Sequence, residues 1–254
     1  MKVPYIFFIM SILSDFIIPQ LSGLTLDTTG LDTFKYALDK NHFNNYPYSI
    51  SYKYNVRGYR DDEWPENLSD CIWCVGDSFT SGLGQSYEHI WPQVLAKKLN
   101  IRTINISMDG ASNDWISRKI VRIADVIKPK LIIAQWSYIN RRESNITADK
   151  LNDYDRRIWY VKEMQSTEDV KNLIGNIKNG LHACNNQITL LNSFIPGLMD
   201  DAYINHFEDE FEKLNALRVN YEVLDLARDG HHYDILTATN FVDNLMKSKY
   251  INTN

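Results

Sequence analysis

The sequence predicts an α/β fold in which a parallel five-stranded sheet is covered by helices on both faces. Three observations predict it. From residue 71 onward, five strand-like runs are each followed by a helical pattern, the sequence form of a sheet with crossover helices. The first run leads straight into a turn of glycines and small hydroxyl residues and then an amphipathic segment. The pattern after Ser112 puts Ile116, Ile120, Ile123 and Ile127 on one face, a spacing that fits a helix packed on a sheet. With 254 residues, the chain is long enough for one sizeable domain with appendages and too short for two comfortable ones.

In chain order, residues 3 to 13 form an apolar run behind Lys2 that is like the core of a signal peptide. Asp15 soon interrupts it, no small-x-small cleavage site follows, and the run is shorter than the ~18 residues of a membrane span. The reading is an N-terminal segment packed on the domain in a cytoplasmic protein, with secretion as the alternative if residues 1–23 act as a signal. Residues 24 to 69 are rich in Asp, Asn, Tyr and Lys, with a helix expected over Leu31 to Leu38 and a short strand over Ser49 to Tyr54. Residues 1–69 are therefore expected to be an arm lying on a main domain of residues 70–254, with Pro65 and the polar run Glu66 to Asp70 at the boundary.

Within the main domain the expected strands are 71–75, 102–107, 131–136, 187–192 and 221–226. The expected helices are 87–99, 113–127, 168–183, 202–217 and 238–248. Loops at the carboxyl ends of such strands build the ligand site. Cys71 and Cys74 form a C-x-x-C pair, but inside a strand positions i and i+3 point to opposite faces. Buried, inert thiols are expected there, and three cysteines in all do not make a secreted disulfide framework. The net charge of −5 and the lack of any Lys/Arg run exclude a nucleic-acid surface. His42, His89, His182 and His206 are scattered singly, so neither a metal nor another cofactor is implied.

Two stretches carry chemistry. Gly76-Asp77-Ser78 follows the first strand, where a serine oxygen faces the crevice and nearby backbone N–H groups aim at the same spot. Arg228-Asp229-Gly230-His231-His232 follows the last expected strand, and the spacing lets a carboxylate and an imidazole meet in a tight turn. A nucleophilic serine needs a base, and the base needs an acceptor for its other ring N–H. His231 is the competing base, but the Asp-x-x-His spacing favours His232.

On these two stretches the chain resembles the SGNH (GDSL) hydrolases, esterases and acylhydrolases with a flavodoxin-like three-layer fold. The likeness spans about residues 70 to 250. It implies Ser78 as nucleophile, His232 as general base and Asp229 as its orienting carboxylate. It also implies an oxyanion hole of the Ser78 N–H, a glycine N–H after the second strand, for which Gly110 is placed, and an asparagine side chain after the third. That third block departs from the family's Gly-x-Asn-Asp: the chain has Trp136-Ser137-Tyr138-Ile139-Asn140-Arg141-Arg142-Glu143. Asn140 from a longer turn, or Asn113 from the second loop, fills the role, or the hole has two donors.

The expected function is thus a serine ester hydrolase working through an acyl-enzyme, with small acyl groups on a carbohydrate as the first substrate class. The alternatives are an acyltransferase to a sugar hydroxyl and a catalytically silent glycan-binding module, which the irregular third block would favour. Arg141, Arg142 and Glu143 are expected at the rim, holding an acidic or sugar substrate or else bound into a salt-bridge network.

Overall fold

A computed structural model of the chain describes residues 13–143, 160–161, 165–248 and 250–251. The signal-like run therefore falls almost wholly outside the described residues. The chain enters through a short 3-10 turn, Leu13–Phe16, and then forms β1 (Thr25–Leu26), α1 (Lys40–Asn45) and β2 (Tyr52–Lys53). β1 and β2 pair antiparallel. The main sheet begins with β3 (Ile72–Gly76), followed by α2 (Ser78–Ser81), α3 (Trp91–Leu99), β4 (Thr103–Ser107), α4 (Asn113–Val126) and β5 (Leu131–Trp136). After the small antiparallel pair β6 (Arg141–Arg142) and β7 (Tyr160–Val161) come α5 (Thr167–Cys184), β8 (Thr189–Phe194), α6 (Asp201–Glu212), β9 (Leu217–Arg218) and α7 (Ile235–Lys247).

The sheet order is β4-β3-β5-β8-β9, all parallel. Strand order reverses beside β3, so its carboxyl end lies at the switch point where such sheets open a crevice. Successive residues of β3 feed opposite layers, as a period of two demands. Ile72 and Cys74 join Trp91 and Leu95 of α3 and Phe241 and Leu245 of α7. Trp73 and Val75 join Ile116 and Ile120 of α4, Leu173 of α5 and Phe207 of α6. The result is three layers, α/β/α. Cys71 and Cys74 fall in different layers, buried and unbridged, and burial raises both thiol pKa values. Among the described residues no helix is long and apolar enough to cross a membrane.

Three expectations need correction. The run 221–226 is not a strand. The N–H groups of Leu224 and Asp225 bond the Thr237 hydroxyl (2.9 and 3.1 Å), and the Asp225 carboxylate accepts from the N–H groups of Leu236 and Thr237 (both 2.9 Å). The segment is thus tied to the start of α7, where backbone donors lack helical partners. The fifth strand is β9, which begins on Leu217, the last residue of the helix expected over 202–217; α6 stops at Glu212, and Asn215 turns the chain through a left-handed φ of 48°.

The helix expected over Leu31 to Leu38 is a short turn. Its apolar residues Leu31, Phe34 and Leu38 stay exposed with no face to pack on, and the helix forms later, at α1, where Asp39 caps the N–H groups of Asn41 and His42. The helix expected over 87–99 is split into a 3-10 turn, Tyr87–His89, and α3, with Ile90 extended between them.

Candidate active site

β3 delivers Ser78 to the crevice. Asp77 is the N-cap of α2, its Oδ1 accepting from the Phe79 N–H (3.0 Å), and this fixes the first helical turn on Ser78. The helix lasts one turn because Gly82 ends it at φ +72°; a side chain there would meet Ile90 at 2.1 Å. A glycine is required at that stop.

The loop after β9 closes on itself. Leu226 and Tyr233 form an isolated bridge, and the Ala227 N–H donates to the His232 carbonyl (2.8 Å). Within that loop Asp229 Oδ1 accepts from the backbone N–H groups of His231 and His232 (both 2.9 Å). Its Oδ2 lies 2.5 Å from His232 Nδ1. His232 Nε2 lies 2.8 Å from Ser78 Oγ. A carboxylate only accepts, so Nδ1 carries the proton and Nε2 is left to accept from the serine hydroxyl. Burial pushes the Asp229 pKa up, but the hydrogen bond and charge of His232 and the two backbone donors bring it below the ordinary value.

All three side chains are nearly closed off: Ser78 is 1% exposed, Asp229 1% and His232 2%. The Phe79 ring stands 4.6 Å from the His232 ring, 4.8 Å from Tyr233 and 6.3 Å from Tyr138. His231 is half-buried at this lip, 5.0 Å from His232 ring to ring. Burial first, and then the neighbouring His232, lower its pKa.

The structure brings together the three side chains singled out by sequence. Gly110 lies in the turn after β4, closed by the Ala111 N–H on the Met108 carbonyl (3.0 Å); Met108 itself donates to Gly76 at the end of β3 (3.3 Å). Asn113 is fully buried, and its side chain is spent on the neighbouring loop. Nδ2 donates to the carbonyls of Ser137 and Tyr138 (both 3.1 Å), and Oδ1 accepts from the Ser137 N–H (2.9 Å). Asn140 is half-buried in the turn closed by the Arg141 N–H on the Tyr138 carbonyl (3.0 Å).

The charged residues of the third block are bound into the protein rather than offered to a ligand. Arg141 pairs with Asp77 (2.9 Å) and Arg142 with Asp169 (3.0 Å), while Glu143 pairs with Arg118. Sequence reasoning missed the first of these pairs, although Asp77 lies in the motif. The Ser137 hydroxyl also donates to Asp77 Oδ2 (2.5 Å). Arg228, next to Asp229, is held by Asp32 of the arm, and no local pattern marks that partner.

No family model and no curated protein matches the chain. Among solved structures it is similar to the psychrotrophic esterase EstA from Pseudoalteromonas sp. (18% identity, TM-score 0.49, covering 70% of this chain and 96% of that one). It is also similar to a member of the lipolytic protein G-D-S-L family from Veillonella parvula (11%, 0.47, 71% and 98%). A third is a family two carbohydrate esterase from Clostridium thermocellum (14%, 0.46, 72% and 64%).

Proposed function

We propose that the chain is a serine ester hydrolase whose catalytic unit is residues 70–254, with residues 1–69 as an arm packed on it. The observation that carries this reading is the unbroken line from Ser78 Oγ through the His232 ring to the Asp229 carboxylate, at 2.8 and 2.5 Å. Ser78 Oγ attacks the ester carbonyl as His232 Nε2 takes its proton. Asp229 holds the ring and stabilises the imidazolium that forms. The negative oxygen of the tetrahedral intermediate is met by the N–H groups of Ser78 and Gly110 and by the Asn140 amide. His232 returns the proton to the leaving alcohol, and an acyl group stays on Ser78. Water, deprotonated by the same ring, then releases the carboxylic acid. No cofactor enters the cycle.

The acyl group is small and the alcohol is a carbohydrate hydroxyl. Supporting the first is the near-closure of Ser78, 1% exposed, beside Phe79, whose ring lies near those of Tyr138 and Tyr233. Supporting the second are the half-buried rings of Tyr138, His231 and Tyr233, which present apolar faces with polar edges. The test is fluorophosphonate labelling and p-nitrophenyl acetate turnover in the wild type, Ser78→Ala and His232→Ala, with acetate release from an acetylated xylo-oligosaccharide alongside. Labelling and turnover in the wild type alone are expected. A folded wild type that does neither overturns the hydrolase reading; faster turnover of p-nitrophenyl octanoate than of the acetate overturns the small acyl group.

A further inference from the structure

The two loops that carry Ser78 and the Asp229/His232 pair come from distant parts of the chain, and the arm bonds to both. Arg60 is completely buried and donates to the carbonyls of Ser81 (3.0 Å), Gly82 (2.5 Å) and Gln85 (2.7 Å), the stretch that follows Ser78. Its guanidinium lies 4.3 Å from the centre of the Tyr52 ring. The Tyr52 hydroxyl accepts from the Gly84 N–H (2.8 Å) and donates to Asp32 Oδ2 (2.6 Å). Asp32 in turn takes both arms of Arg228, from Nε at 2.8 Å and from Nη2 at 2.5 Å.

The Arg228 N–H closes the ring on the Gly84 carbonyl (3.1 Å). At this crossing a side chain on Gly84, whose φ is +76°, would meet Ala227 Cβ at 2.7 Å. The Leu38 N–H also donates to the carbonyl of Asp229 itself (2.9 Å).

We infer that Asp32 and Tyr52 are positioning residues for the triad. The chain Gly84–Tyr52–Asp32–Arg228 fixes the nucleophile loop against the acid–base loop and so sets the distance between Ser78 and His232. The inference rests on the hydrolase reading. Its physical basis is that the bonds are charge-assisted and bidentate at the Asp32–Arg228 end, buried at Tyr52 and Asp32 and partly buried at Arg228, and applied one residue from Asp229. Proton transfer from serine to imidazole tolerates little displacement: a shift of about 1 Å costs on the order of 100-fold in rate.

The test compares wild type, Ser78→Ala, Asp32→Asn, Tyr52→Phe and the Asp32→Asn/Tyr52→Phe double variant. For each, kcat and KM on p-nitrophenyl acetate and the second-order rate of fluorophosphonate labelling are measured per folded molecule, with the folded fraction taken from near-UV circular dichroism. The expected result is a fall in kcat and in labelling rate of about 10- to 100-fold in each single variant, with KM unchanged. The double variant falls no further than the worse single, because both changes cut one chain. A purely stabilising role lowers the melting temperature and leaves both rates per folded molecule at the wild-type value, which overturns the inference. So does a double variant whose losses multiply. Should Asp32→Asn fail to fold, Tyr52→Phe, which removes one oxygen, decides by the same readouts. If wild type itself neither labels nor turns over, the hydrolase reading fails first and the inference falls with it.

Discussion

The Asp77 carboxylate, one residue before the proposed nucleophile, is wholly buried and paired with Arg141, 64 residues further along the chain. Its second partner is the Ser137 hydroxyl, so the irregular third block supplies a cation and a donor to the N-cap of α2. Arg141→Met would leave a buried carboxylate with its cation gone. Breaking such a pair from one side costs about 3–5 kcal/mol, so the urea midpoint is expected to fall sharply. A midpoint within error of wild type would mean that the pair holds nothing.

Ser78 and His232 act as a unit if the 2.8 Å contact between them is the route of the proton. Removing either member of such a unit lowers kcat by roughly ten-thousand- to a million-fold, and removing both costs little more than removing one. Ser78→Ala, His232→Ala and the double variant should therefore show similar residual rates at unchanged melting temperature. His231→Ala is expected to keep the wild-type order of magnitude, because the Asp229 carboxylate meets the ring of His232. A His231→Ala variant as slow as His232→Ala would reassign the base.

The sheet was legible because four of its strands carry their own signal: the runs at 71–75, 102–107, 131–136 and 187–192 all lie within two residues of β3, β4, β5 and β8. Ser78, Asp229 and His232 were legible because each lies in a local motif bounded by a strand or a turn. The fifth strand was not. Tyr221 to Leu226 has strand composition, but Asp225 spends its carboxylate on the start of α7, a contact that local pattern does not encode. The partners of Asp77 and Arg228 were hidden for a similar reason, since Arg141 and Asp32 lie far off in sequence and only the folded chain brings them together. The spacing of Leu31, Phe34 and Leu38 was real but had no sheet beneath it.

Asp61 gives the protein a pH dependence of predictable sign. Burial pushes its carboxyl from 3.8 up to about 6, although Arg102, Tyr87 and the Asn105 N–H all bond it and pull the other way. The folded state therefore binds this proton more tightly than the unfolded chain does. The stability it contributes is fully present below 3.8 and is lost as pH rises through about 6. The loss is on the order of 3 kcal/mol. Asp229 works in the other window, since its pKa is depressed: its contribution is present above 3.8 and lost as pH falls below that. Carbon-detected NMR of the folded protein should find one aspartate titrating near 6, and assignment of that resonance to another residue would remove the argument.

The two asparagines of the proposed oxyanion site should separate by the kind of damage each substitution does. Asn113 makes three hydrogen bonds to Ser137 and Tyr138, so its amide braces the loop on which Asn140 stands. Asn113→Ala orphans the buried Ser137 N–H and takes a donor from the Ser137 carbonyl, while the Tyr138 carbonyl keeps the Arg141 N–H. One such group costs about 1–3 kcal/mol, so the unfolding free energy should drop by at least that much. On the proposed reading, Asn140→Ala instead removes a side-chain donor to the transition-state oxyanion. Losing one oxyanion donor costs about 100- to 1,000-fold in kcat while substrate binding is spared, so KM should hold. Measured side by side on p-nitrophenyl acetate, Asn140→Ala is expected to lose kcat and Asn113→Ala to lose stability first. If Asn140→Ala keeps full kcat, the hole has only the two backbone donors of Ser78 and Gly110, and the departure of the third block from the Gly-x-Asn-Asp pattern is a true loss of the side-chain donor.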